Sequence, residues 1–188
     1  MADRHRHPPD RRVRRPSAVN RFSVCFVCTG NICRSPMAET VLRSIADAAG
    51  HGDDLVISSA GTGDWHVGEG ADPRTEAALS ARGYDGSRHR AKQFGADDFA
   101  RHDLVVAFDR GHERVLRSWA TNDSDRSKVR LLLTFDPAAA PRAGVPGTDV
   151  PDPYYSDAAM FDTVLDLVEQ SCAALFRQIE PALRKGPS

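Results

Sequence analysis

The chain has 188 residues, 40% hydrophobic and 27% charged, enough for one domain with a real core and ordinary for a water-soluble fold. No apolar stretch approaches the roughly 20 residues of a membrane span. The four cysteines form neither a disulfide framework nor a paired zinc site, which suits a reducing compartment. The net charge of −1 hides an uneven spread: residues 1–21 hold seven Arg and two Asp, net +5, and the rest is net −6.

Residues 1–20 are Arg-, Pro- and His-rich with little to bury, so a disordered extension is expected. They lack the apolar segment of a secretory signal. The acidic remainder argues against nucleic acid as the main ligand. Phe22–Val27 reads as a buried strand. Ser35 has the chemistry of a helix N-cap, with Pro36 at the first helical position. Met37, Val41, Leu42 and Ile45 keep helical spacing until Gly50 ends the helix. Leu55–Ser59 is a second strand, closed by a glycine-rich turn. Asp72 and Pro73 open a helix through Leu79, and Gly83 stops it. Ala96–Arg101 is a short helix and Asp103–Phe108 a third strand. A helix follows from about Gly111 to Trp119, then a fourth strand over Val129–Leu133. A loop rich in Pro, Gly and Ala runs from Asp136 to Pro153. A long amphipathic helix covers about Asp157 to Leu183, with Phe161, Leu165, Val168, Cys172, Leu175 and Ile179 on one face. Alternating strands and helices imply a single α/β domain over residues 21–185. Its four-stranded parallel sheet carries helices on both faces, and ligands bind at the C-terminal strand ends.

Residues 28 to 35, Cys-Thr-Gly-Asn-Ile-Cys-Arg-Ser, leave the first strand at its C-terminal end and lead into a helix. Such a loop turns successive backbone N–H groups toward one point, and the helix dipole adds positive potential, so it suits a phosphate dianion. Gly30 permits close approach, Asn31 tolerates a left-handed backbone, and Arg34 can offer a planar fork to two phosphate oxygens. The same surroundings favour a thiolate at Cys28, which can attack phosphorus in line. The charge that develops would be met by donors already in place. No metal and no cofactor are implied, and there is no GxxxxGK[ST] nucleotide loop. Cys25 and Cys28 match a redox spacing, but they stand within and at the end of a strand rather than in a turn opening a helix.

The leaving group needs a proton, so an acid must face the thiolate. Asp152 stands out between Pro151 and Pro153, with Tyr154 and Tyr155 following. Asp72 and Asp136 also precede prolines, as a helix cap and a strand-end turn. These residues alone do not choose among the chain's 26 carboxylates.

The segments VCFVCTGNICRSPMAE, SAGTGDWHVGEGADPR, RGY before HRAKQF, LVVAFDR and DPYY resemble, in order, the low-molecular-weight protein tyrosine phosphatases, and span about residues 22 to 183. The resemblance implies Cys28 as nucleophile, Arg34 as phosphate clamp, and Asp152 as general acid and then base. It implies that Ser35 hydrogen-bonds Cys28, and that Asn31, Ser59 and His89 brace the loop. Thr29, Gly30, Asn31, Ile32 and Cys33 would hold the phosphate through the loop backbone. Trp65, Tyr154 and Tyr155 would wall the cleft, where a deep aromatic slot favours phosphotyrosine over the shorter phosphoserine. Tyr154 and Tyr155 are also candidate sites of phosphorylation. Cys33 is a candidate partner for an oxidised Cys28, while Cys172 reads as core.

Two other activities share this kind of loop. Arsenate reduction needs a downstream cysteine pair, and only Cys172 lies downstream. Protein-arginine phosphatases resemble the family but carry Thr where this chain has Ile32. The expected partners are phosphotyrosine proteins, with a cognate tyrosine kinase among the candidates, and no nucleic acid or membrane span. A monomer or weak dimer is expected. The expected location is the cytoplasm, with export without a signal peptide left open.

Overall fold

The computed structural model describes residues 21–136, 138 and 147–183. The expected disordered extension over 1–20 and most of the proline- and glycine-rich loop therefore lie outside the described residues. Four strands, β1 (Phe22–Cys28), β2 (Leu55–Gly61), β3 (Leu104–Ala107) and β4 (Val129–Leu131), form one sheet in the order β2-β1-β3-β4. All three pairings are parallel. The helices are α1 (Arg34–Ala48), α2 (Pro73–Ala81), α3 (Arg110–Trp119), α4 (Asp123–Lys128) and α5 (Ala158–Leu183). Short 3-10 turns cover Ala96–Arg101 and Leu132–Phe135.

The alternation of side chains along β1 makes the two faces. Val24, Phe26 and Cys28 enter the larger core with Met37, Val41 and Leu42 of α1 and Leu165, Val168 and Cys172 of α5. Cys25 and Val27 enter a smaller core on the other face with Phe94, Phe99 and Leu116. All six residues expected on the apolar face of α5 are buried. Each large side chain so buried contributes about 1.5–3 kcal/mol. The two faces together fix the sheet between layers.

Strand order reverses between β1 and β3, the place where parallel sheets open a crevice at their C-terminal ends. Cys28 ends β1 there, paired in register with Gly61, and α3 starts beside it just after β3.

Three local expectations are revised. Ser35 is not the N-cap of α1: the helix starts at Arg34, Cys33 holds the cap position, and no side chain caps it. The fourth strand stops at Leu131, because Leu132–Phe135 coils into a 3-10 turn that buries three of its four side chains. The helix α4 had no counterpart in the sequence reading. It has no buried residue, and its signals are local: Asn122 caps it by accepting from Asp125 N–H, with Asp123 and Asp125 in the first turn and Arg126 and Lys128 in the last. The cap of α2 is as expected, with the Asp72 carboxylate accepting from Arg74 N–H and Pro73 at the first position.

Candidate active site

The loop from Cys28 to Arg34 closes over the C-terminal end of β1. Asn31 is its one non-glycine residue with positive φ, at 57°, and the only such residue in the described chain. Its side chain is fully buried and makes three hydrogen bonds. Nδ2 donates to Ser35 Oγ at 2.8 Å and to Ser59 Oγ at 2.9 Å, and Oδ1 accepts from Lys92 N–H at 2.9 Å. The Asn31 carbonyl accepts from His89 Nε2 at 2.7 Å. Ser59 in turn donates to Glu39 Oε2 at 2.5 Å.

This chain of donors orients Ser35. Its oxygen already accepts from Asn31, so its single proton goes outward, to Cys28 Sγ at 3.0 Å or to Ala60 O at 3.3 Å. The network thereby holds the Ser35 hydroxyl against the Cys28 sulfur. This is why Ser35 does not cap α1.

A strip after β2 supports the loop from outside. Thr62 N–H donates to Cys28 O, Gly63 N–H to Thr29 O, and Asp72 N–H to Ile32 O, at 2.8 to 2.9 Å. A methyl group on Gly61 would stand 2.7 Å from Thr29 O, so a side chain there would push the loop off its seat. Gly63 leaves room for the Trp65 indole to lie against it.

Arg34 is 3% exposed. One terminal nitrogen donates to Asp109 Oδ2 at 3.0 Å and to Val150 O at 3.1 Å, and the other to Asp152 Oδ2 at 2.9 Å. Burial pushes the Asp109 carboxyl up. The His112 side chain and backbone N–H, and then Arg34, more than reverse this and hold it well below the usual carboxylate range.

The segment carrying Asp152 is fixed at both ends. Val150 N–H donates to Phe108 O at 2.7 Å. Arg74 of α2 donates to Tyr154 O and Ser156 O, each at 3.0 Å, while paired with Asp72 and lying 4.6 Å from the Phe161 ring centre. The hydrogen bonds from Arg74 hold the Asp72 carboxyl below its usual range against the opposing effect of burial.

These parts surround a cleft of about 350 Å³ lined by Cys28, Thr29, Gly30, Ile32, Cys33, Arg34, Trp65, His66, Asp152, Tyr154 and Tyr155. Every residue named from the sequence as catalytic or substrate-binding lines it except Asn31, which lies beneath the loop with Ser35, Ser59 and His89. Trp65 is 70% exposed and Tyr155 95%, and Tyr154 meets Tyr155 edge to face at 4.8 Å, so the aromatics form a rim rather than a core. Cys33 is buried, and desolvation, followed by the charge of Asp72, pushes its thiol up to about 12. Burial also pushes up Cys25, to about 12, and Cys172.

Several contributors had no role in the sequence reading. Asp109 and Arg74 stand in segments that carry the resemblance, LVVAFDR and ADPR, which was the available signal. Glu39, His66 and Lys92 also stand in such segments, at the end of VCFVCTGNICRSPMAE, within SAGTGDWHVGEGADPR and within HRAKQF, and only His112 lies outside them. Among the described residues there is no cluster of metal-ligating side chains, and no helix is long and apolar enough to cross a membrane.

With a cysteine, an arginine and an aspartate converging on one rimmed cleft, the comparison with known proteins is decisive. The sequence pattern described as "Low molecular weight phosphotyrosine protein phosphatase" matches residues 23–185. The chain belongs to this family. It is 52% identical over 158 residues to a low molecular weight protein-tyrosine-phosphatase of Streptomyces coelicolor, covering 84% of this chain and 93% of that one. It is 45% identical over 166 residues to low molecular weight protein-tyrosine phosphatase A of Mycobacterium tuberculosis, covering 88% and 96%. The crystal structure of YfkJ from Bacillus subtilis superposes with a TM-score of 0.78 at 32% identity, covering 88% of this chain and 99% of that one. In this phosphatase family member, the single parallel α/β sheet follows the fold expected from the alternation of strands and helices.

Proposed function

We propose that this chain hydrolyses protein phosphotyrosine in two steps through a cysteinyl-phosphate on Cys28. The observation that carries the reading is Arg34, whose buried guanidinium lies between Asp109 and Asp152 in the cleft that Cys28 also lines. In the first step the Cys28 thiolate attacks phosphorus, an S–P bond forms and the bond to the tyrosine oxygen breaks. The Asp152 carboxyl gives its proton to that leaving oxygen. In the second step Asp152 takes a proton from water, the water oxygen attacks phosphorus, the S–P bond breaks and inorganic phosphate leaves. A phosphate dianion competes with Asp152 for the Arg34 nitrogen that now holds it, which releases the carboxyl toward the leaving group. The loop backbone from Thr29 to Cys33 and the Arg34 fork meet the charge on the phosphoryl oxygens.

The aromatic rim of Trp65, Tyr154 and Tyr155 supports an aryl substrate. Ile32 lines the cleft and places an apolar side chain where arginine phosphatases carry Thr. Cys172 is fully buried in α5, so it cannot relay a disulfide for arsenate reduction without unfolding that helix. The partners of this reading are phosphotyrosine proteins, a tyrosine kinase among them. Turnover of matched phosphotyrosine, phosphoserine and phosphoarginine peptides tests it: only the first is cleaved, and Cys28→Ser abolishes cleavage. Faster release of phosphate from phosphoarginine refutes it.

A further inference from the structure

We infer that His112 is a positioning residue for the phosphate loop, joining its two ends through one fixed turn of α3. The inference deepens the phosphatase reading and rests on it. His112 lies in the first turn of α3 and is 6% exposed. Its Nε2 is 2.8 Å from Thr29 Oγ1, on the residue directly after the nucleophile. Its Nδ1 is 3.0 Å from Asp109 Oδ2, close but not aligned for a full hydrogen bond. Its backbone N–H donates to Asp109 Oδ1 at 2.8 Å, capping the helix. The same Asp109 Oδ2 accepts from Arg34 at 3.0 Å.

Thr29 and Arg34 are therefore tied together twice: by the loop that runs between them, and by His112 and Asp109 behind it. Thr29 is also held from its other side, through Gly63 N–H on its carbonyl at 2.9 Å. A buried imidazole is costly unless its nitrogens find partners. Here Nε2 is paired with the Thr29 hydroxyl, and Nδ1 lies 3.0 Å from the Asp109 carboxylate without an aligned hydrogen bond. The apolar core is reached one turn on, by Leu116 of the same helix, which is fully buried in the smaller cluster. The apolar side of α3 thus anchors the helix to the sheet, and its polar first turn sets the spacing between Thr29 and the guanidinium. Donors around a phosphoryl group act only when held in place to a fraction of an ångström.

The test compares wild type, Thr29→Val, Thr29→Ser, His112→Phe and the Thr29→Val/His112→Phe double variant. Inorganic phosphate affinity is read by calorimetry and turnover with p-nitrophenyl phosphate. Valine keeps the shape of threonine without the hydroxyl, serine keeps the hydroxyl, and phenylalanine keeps a ring without nitrogens. Thr29→Val and His112→Phe each weaken phosphate binding and slow turnover about tenfold, and Thr29→Ser, which keeps the hydroxyl, loses clearly less than Thr29→Val in both readouts. The double variant is no worse than the poorer single one, because both substitutions cut the same link. Losses that multiply in the double variant overturn the inference. So does a Thr29→Val enzyme equal to wild type, or a His112→Phe enzyme that melts earlier yet binds phosphate normally. If His112→Phe does not fold, the contrast between valine and serine at Thr29 decides alone. Phosphate binding needs no turnover: a wild type that binds phosphate but hydrolyses no phosphotyrosine defeats the reaction assignment and leaves this test standing.

Discussion

Replacing Asn31 separates two effects that the structure puts on one residue. Asn31→Ala removes three side-chain hydrogen bonds, to Ser35, Ser59 and Lys92 N–H. Ser59 keeps Glu39 and Ser35 keeps Ala60 O, so Lys92 N–H is the group left without its partner. At about 1 kcal/mol per net hydrogen bond, more for the stranded amide, the loss is roughly 3–4 kcal/mol. The backbone at φ 57° adds about 1 kcal/mol more for alanine, which lacks asparagine's tolerance of left-handed geometry. A total of roughly 4–5 kcal/mol is a large part of the ~5–15 kcal/mol that holds a domain together. Asn31→Gly loses the same three bonds but not the backbone fit, so it should be about 1 kcal/mol more stable than Asn31→Ala. Both variants free Ser35 to turn its proton away from Cys28 and should be slow enzymes. Urea unfolding at neutral pH measures the difference. Equal midpoints for alanine and glycine refute the backbone argument. A loss under 1 kcal/mol in both refutes the network argument.

Asp152→Ala should slow release of poor leaving groups, such as an unsubstituted phenol, far more than release of p-nitrophenol, which leaves without protonation. Equal slowing for both would remove Asp152 from the acid role. Burial lowers His89 from its ordinary value of 6.5, though its bond to the Asn31 carbonyl works the other way. The unfolded chain therefore takes up that proton first as pH falls, and stability is lost below about pH 6.5, through the depressed folded value. Urea midpoints followed from pH 7 to 5 should fall less steeply in His89→Gln, and an unchanged slope would contradict this. Cys33, Cys25 and Cys172 stay as thiols at neutral pH because burial pushes each one up. Brief iodoacetamide treatment should then modify Cys28 first by peptide mass spectrometry, and earlier labelling of Cys33 would be the wrong outcome. Cys33→Ser should recover less activity than wild type after peroxide and then thiol, if Cys33 captures the oxidised Cys28. Equal recovery removes that role.

The parts of this molecule that could be read from sequence are those whose physics is local. The block Phe22–Val27 is apolar but for Ser23 because β1 is buried on both faces. The cap of α2 is announced by Asp72 and Pro73, which act on their own helix. The loop from Cys28 to Ser35 was legible for the same reason, since its glycine, asparagine and arginine act within eight residues of one another. The error at Ser35 shows where local rules give out. A serine before a proline is a good cap by propensity, but a hydroxyl bonded into a buried network and 3.0 Å from a buried sulfur has a stronger claim on it.

Asp109 and His112 mark the opposite limit. Arg34 and Asp109 are 75 residues apart, and Thr29 and His112 are 83 apart. Nothing in Asp-Arg-Gly-His separates a carboxylate that holds the phosphate arginine from one that merely starts a helix, and here Asp109 does both. The sheet order brings them together: β3 lies beside β1, so the first turn of α3 stands where the loop after β1 ends. Strand order depends on which apolar faces fit against which helices, and no window of sequence contains that information. Residues that chemistry places on one strand end can therefore be found in sequence, while a support such as His112, whose partner Thr29 lies across the sheet, is found only once the neighbouring strand is known. A search for such supports in related chains should begin at the first turn of the helix after the neighbouring strand, where Asp109 and His112 stand.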